Sequence, residues 1–148
     1  MESNDLNKII KDIKHLFMAY RNGIVSDTLR KAGQPFNIIF GLQLPQIAEI
    51  AKNYGYSDTI ADALWQDKGI RESRLLACYL FTPDNIDIEK AFELGSEVRT
   101  VEEADILCFR LLRRLPFAET LALRLTTAES PLAAYCGEAL RRNLDSLA

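Results

Sequence analysis

Arg71-Glu-Ser-Arg-Leu-Leu-Ala-Cys-Tyr-Leu-Phe81 and Val101-Glu-Glu-Ala-Asp-Ile-Leu-Cys-Phe-Arg-Leu111 decide how this chain is read, because one can be laid on the other. Superposing Cys78 on Cys108 aligns Leu76 with Ile106, Ala77 with Leu107, Tyr79 with Phe109 and Phe81 with Leu111. Superposing Cys108 on Cys136 aligns Leu111 with Ala139 and Leu112 with Leu140. The cysteines therefore mark one recurring position, where a small apolar residue lets neighbouring helices approach closely. Helix starts near Pro45, Arg71, Thr100 and Pro131 recur at a period of about 26 to 31 residues, the sign of helix pairs stacked side by side.

Working outward, apolar residues fall at three-four spacing in nearly every segment, with punctuation at both ends. Leu6, Ile9, Ile10, Ile13, Leu16 and Phe17 form one face of a first helix, with Ser3–Asn4–Asp5 as its expected cap and Asn22–Gly23 as its end. A short helix over 24–32 stops at Gly33, and Pro35 opens a non-helical connection through Phe36–Gln43, the one stretch with a trace of strand alternation. Pro45 suits a first helical turn, Ser57–Asp58 open the next helix, and Asp87 begins another. Thr100 and Glu103 form a capping box before a helix predicted to run to Leu115, just before Pro116. Helices over 117–127 and from Ser130–Pro131 complete an all-α chain.

Its 148 residues suit one domain with a continuous core, and 48% apolar with 26% charged residues is ordinary for a globular protein. No apolar run approaches the roughly 20 residues of a spanning helix, and the first residues carry no signal pattern, so the expected setting is cytoplasmic, with no membrane partner. The cysteines lack metal or dithiol spacing and are expected to be reduced and buried. The net charge is −3 and the pI about 5.2, so any nucleic-acid face must be a local patch.

Catalytic motifs that rest on glycine loops, on G-x-S-x-G or on paired histidines are absent, and the sole histidine, His15, lies in a lysine-rich helix and is expected to be solvated. No metal and no cofactor are expected. Asp105 falls at the border of its apolar stripe, between Val101 and Phe109 one turn to either side. It is either a first-turn acid that favours the helix dipole or a carboxylate placed to stabilise developing positive charge. Arg110 and Arg114 are expected on one face with Arg113 beside them, and Arg141 and Arg142 at a comparable late position in the last helix. Such a ridge either holds phosphates or compensates helix C-termini. Trp65 is read as core, and Arg71, Glu72 and Arg74 as partly exposed bridging charges worth under ~1 kcal/mol each.

Asn22-Gly-Ile-Val-Ser-Asp27, Phe40-Gly-Leu-Gln-Leu-Pro-Gln-Ile-Ala-Glu-Ile-Ala-Lys52, Ala63-Leu-Trp-Gln66 and Gly69-Ile-Arg-Glu-Ser-Arg-Leu-Leu-Ala77 resemble the bacterial DNA alkylation-repair glycosylases of the HEAT-like repeat type. The likeness covers about residues 18–82. It implies an α-α superhelix whose cationic concave face grips DNA and which excises positively charged alkylpurines without a metal. The family pairs a tryptophan with an aspartate four residues later; the aspartate matches Asp105, whereas the tryptophan position holds Val101. Arg141 or Arg142 would stand in for the family's later arginine, and Arg110, Arg113 and Arg114 would join them on the DNA backbone. The expected partner is duplex DNA or, for a non-catalytic repeat scaffold, another protein.

Overall fold

The computed structural model describes residues 2–147, and among them the regular structure is helical. The helices are α1 (Ser3–Ala19), α2 (Gly23–Lys31), α3 (Leu44–Lys52), α4 (Asp58–Gln66), α5 (Arg71–Leu80), α6 (Ile88–Ser96), α7 (Val101–Arg110), α8 (Ala118–Thr126) and α9 (Pro131–Leu147). Short 3-10 turns lie at Pro83–Asn85 and Leu112–Arg114. The chain divides into two compact units, one up to Phe81 and one from Thr82. No helix among the described residues is long and apolar enough to cross a membrane.

Most helix starts follow the chemistry of their caps. Asn22 accepts from the amides of Ile24 and Val25, Ser57 from Ile60, Asp87 from Lys90 and Thr100 from Glu103. The first helix differs from expectation. It already includes Ser3, and its cap residue is Glu2, whose side chain makes no capping hydrogen bond. Asn22 belongs to the start of α2 rather than the end of α1.

In the first unit α5 packs on α3 and α4, and α1 packs on α4, with Ile13 and Phe17 of α1 buried and the Phe17 ring against that of Phe40. The segment between α2 and α3 crosses this core without regular structure, so each of its polar backbone groups needs a partner from elsewhere. Arg30 donates to the carbonyls of Phe36 and Asn37, and the Ser26 hydroxyl to that of Ile39. Ile38 forms an isolated parallel bridge with Ile70, the remnant of the strand alternation read there. The carboxylate of Glu72 accepts from the amides of Phe40 at 2.9 Å and Gly41 at 3.1 Å, while Arg71 donates to the carbonyl of Leu42 at 2.9 Å and to Glu72 at 2.6 Å. Gly41 has φ 87°, and a Cβ there would lie 2.3 Å from the carbonyl oxygen of Asn22, so glycine is required.

The reading of Arg71, Glu72 and Arg74 as partly exposed ion pairs is overturned. All three are buried, Glu72 and Arg74 completely. Arg74 stacks 3.6 Å above the centroid of Trp65 and donates to the Trp65 carbonyl. Ser73, also buried, donates to Asp67, which Lys14 of α1 approaches at 3.3 Å. Charges occupy the first turns of α5 because they stand in for the hydrogen bonds that an irregular loop does not make with itself.

In the second unit α9 packs on α7 and α8, and α6 on α8 and α9. Glycine sets the approach of α8 to α9: a Cβ on Gly137 would lie 2.5 Å from the Thr126 amide and 2.9 Å from the Ala122 carbonyl. Arg124 of α8 holds Glu89 of α6 through two hydrogen bonds of 2.8 and 3.0 Å and lies over Phe92.

Replacing Glu72 with Ala removes the acceptor of the Phe40 and Gly41 amides and the carboxylate beside Arg71 in the core, so a loss of about 3–5 kcal/mol is expected in urea unfolding. Glu49→Ala, which breaks the solvent-exposed pair with Lys52, is expected to cost less than ~1 kcal/mol. Equal costs for the two variants would overturn the role given to Glu72.

Candidate functional site on the α7 and α9 face

The charged residues singled out in the second unit do not form one ridge. Helix α7 ends at Arg110, and Leu111, at φ −125° and ψ −62°, leaves the helical region before the 3-10 turn of Leu112–Arg114. Arg110 and Arg114 therefore do not share a helical face, contrary to the projection that assumed α-helix up to Leu115. Arg114 is exposed on the turn. Arg113 folds back, donating from Nε to the Phe109 carbonyl at 2.8 Å and placing its guanidinium 3.9 Å from the centroid of the Phe109 ring. Arg110 approaches the same ring at 5.4 Å. Phe109 thus carries two arginines, although it is 44% exposed itself.

Arg141 and Arg142 also part company, since adjacent residues on a helix project about 100° apart. Arg142 lies two turns after Tyr135, donates to its phenol oxygen at 3.3 Å and sits 5.5 Å from its ring centroid. Arg141 lines a separate groove with Glu119, Leu123 and Asp145 between α8 and α9.

Asp105 is half-buried, and its Oδ1 accepts a 2.7 Å hydrogen bond from the Tyr135 hydroxyl across the α7 and α9 contact. The carboxylate pushes the Tyr135 phenol above its ordinary value near 10, first by that hydrogen bond, then with help from burial and from its charge. Arg142 opposes the shift. Val101 and Phe109, one turn to either side of Asp105, are 49% and 44% exposed. The face therefore runs Val101, Asp105, Phe109 along α7, with Tyr135 and Arg142 beside it on α9 and Arg113 closing its far end.

The border position of Asp105 follows from helical projection, whereas its partner Tyr135 does not. The usable signal was chemical: a tyrosine beside a stripe has a polar tip that needs a partner, and the carboxylate stood 30 residues earlier, about one repeat. Glu103 turns away from this face; it is buried, and its carboxylate accepts the Arg99 amide.

His15 is exposed on α1, and the Trp65 ring is fully buried under Arg74. Among the described residues no group of three or more His, Cys, Asp or Glu is placed to hold a metal. Comparison with protein-family models, with curated proteins and with solved structures gives no match to this chain.

The hydrogen bond from Tyr135 favours the neutral phenol in the folded state, so the stability it contributes is present below pH ~10 and is lost as pH rises through the raised Tyr135 value. Phenolate absorbance should show two tyrosines ionising late, since burial, aided by Asp12, also raises Tyr54. Asp105→Asn is expected to return one of them toward the ordinary value and leave the other. A titration unchanged by Asp105→Asn would rule the contact out.

Proposed function

We propose that the protein binds duplex DNA through the α7 and α9 face, as a HEAT-like helical-repeat relative of the alkylpurine DNA glycosylases. The observation that carries this reading is the pairing of an open carboxylate with stacked guanidinium groups. Asp105 is held by Tyr135 on a half-exposed surface, with Arg142 beside it and Arg113 spread on Phe109. A guanidinium fixed by stacking and by one backbone hydrogen bond still offers its outer N–H groups, in the planar fork that suits phosphate oxygens. Contacts of α3 with α5, of α6 with α8 and of α7 with α9, each two helices apart, support a reading as stacked helix pairs. The motifs quoted from residues 18–82 supply the kinship, and Asp105 the position of the family's aspartate.

In this reading Arg113 and Arg142 hold the DNA backbone, with Arg110 and Arg114 at the margin, and Asp105 faces the cationic lesion. An ionised Asp105 would stabilise the sugar cation as an alkylated base leaves. Val101 offers no aromatic plane where the family has tryptophan, which removes stacking of the lesion and with it much of the positioning that excision needs. Recognition of alkylated DNA is accordingly the primary activity proposed, and excision the secondary one.

A salt titration of duplex affinity tests the proposal. Log affinity is expected to fall with log salt at a slope of about −0.9 per phosphate contacted, and Arg113→Ala and Arg142→Ala each to reduce the slope by about one. Arg141→Ala, on the other groove, should change it little. Any alkylpurine release should disappear in Asp105→Asn. Absence of duplex binding at low salt would sink the reading and favour the rival one, a protein-binding repeat module that covers the exposed Val101 and Phe109.

A further inference from the structure

Cys108 of α7 and Cys136 of α9 are both fully buried and meet where these helices cross. Their sulfurs lie 3.6 Å apart, and the Cys108 thiol also sits 3.3 Å from the carbonyl oxygen of Cys136. A small apolar residue at either position would satisfy a close helix contact, and alanine serves that purpose at Ala104, Ala133 and Ala139 nearby. Two thiols in van der Waals contact do something alanines cannot. A disulfide needs its sulfurs at about 2.05 Å, so the two sulfurs must move closer by about 1.5 Å. The bond would link residues 28 positions apart and enclose all of α8. Tyr135 immediately precedes Cys136, and Asp105 lies one turn before Cys108, so the link would lie directly behind the Asp105–Tyr135 hydrogen bond.

We propose that Cys108 and Cys136 are an oxidation site, a thiol pair that a small peroxide converts to a disulfide fastening α7 to α9. One thiolate attacks a peroxide oxygen and breaks the O–O bond, forming a sulfenic acid and expelling hydroxide, which takes up the proton that the thiol released and leaves as water. The second thiolate attacks that sulfur and expels hydroxide, which takes up a proton as water. Two thiols and one hydrogen peroxide thus become one disulfide and two waters, with the two electrons passing from sulfur to oxygen. Because both sulfurs are shielded, reaction proceeds through local opening of the helix crossing rather than at the resting surface. The cross-link then stabilises the unit by restricting its unfolded chain.

The test treats the whole native protein with hydrogen peroxide, blocks remaining thiols by alkylation, and maps tryptic peptides without reduction. Peptides 100–110 and 125–141 should appear joined, with the loss of two hydrogens, while the Cys78 peptide is alkylated. The thermal midpoint should rise and return to its starting value on addition of dithiothreitol. Cys78→Ala should leave both effects intact, and Cys108→Ala or Cys136→Ala should abolish them. The peptide map of the unmutated protein decides the question even if a variant folds poorly. Linkage to Cys78, oxidation to sulfinic or sulfonic acid without a link, or reaction confined to denatured protein would each overturn the proposal.

Discussion

A single carboxylate, that of Glu72, sets the terms for the first unit. It is fully buried, and an unpaired charge there would cost several kcal/mol. Two amides of the crossing loop and the Arg71 guanidinium meet it within 2.6–3.1 Å. The same loop could not remain inside without them, because a helix or a sheet would otherwise have to satisfy Phe40, Gly41 and Leu42. Charge and loop therefore stabilise each other, and neither is stable in that place alone. Gly41 completes the arrangement, since any side chain would push the loop off Asn22, whose own amide donates to the Phe40 carbonyl.

This mutual dependence explains which parts of the fold were legible in the residues. Helices announced themselves through three-four spacing and through Ser57, Asp87 and Thr100, each of which bonds the amides that its position predicts, whereas Asn22, read as a helix end, caps α2. Those are local effects, decided within one turn. Arg71, Glu72 and Arg74 read as surface charges because the rule that charges stay in water is a statistical one. Their partners lie about 30 residues earlier in an irregular loop or, for Arg74, in Trp65 of the preceding helix, and nothing local marks them. The break after Arg110 was invisible for a related reason. Leu111 and Leu112 continue the apolar pattern and both are buried, yet Leu111 leaves the helical region and turns the following arginines.

The candidate site was legible in half. The stripe-border position of Asp105 follows from helical projection, but its partner on α9 depends on how closely two helices cross. Small residues fix that crossing: Ala104, Cys108, Ala133 and Cys136 are all buried in the two helices, and Gly137 admits the backbone of α8 on the other side of α9. Close approach brings the Tyr135 hydroxyl to 2.7 Å from Asp105, a distance that a larger side chain between the helices would not permit. Packing of small residues thus determines the chemistry of a polar pair that it never touches.

Net charge is a poor guide to such a surface, and the second unit shows why. From Thr82 onward it holds eight basic and twelve acidic groups, a net charge of −4. Glu103 is buried and accepts the Arg99 amide, the half-buried Asp105 accepts the Tyr135 hydroxyl, and Arg124 is paired with Glu89. Arg113 and Arg142 instead rest on aromatic rings, contacts that fix a guanidinium in place without neutralising it. A cation stacked in this way keeps its field at the surface, whereas one paired to a carboxylate loses most of it. The local potential of the α7 and α9 face is therefore governed by which arginines have rings for neighbours, and Phe109 and Tyr135 supply them.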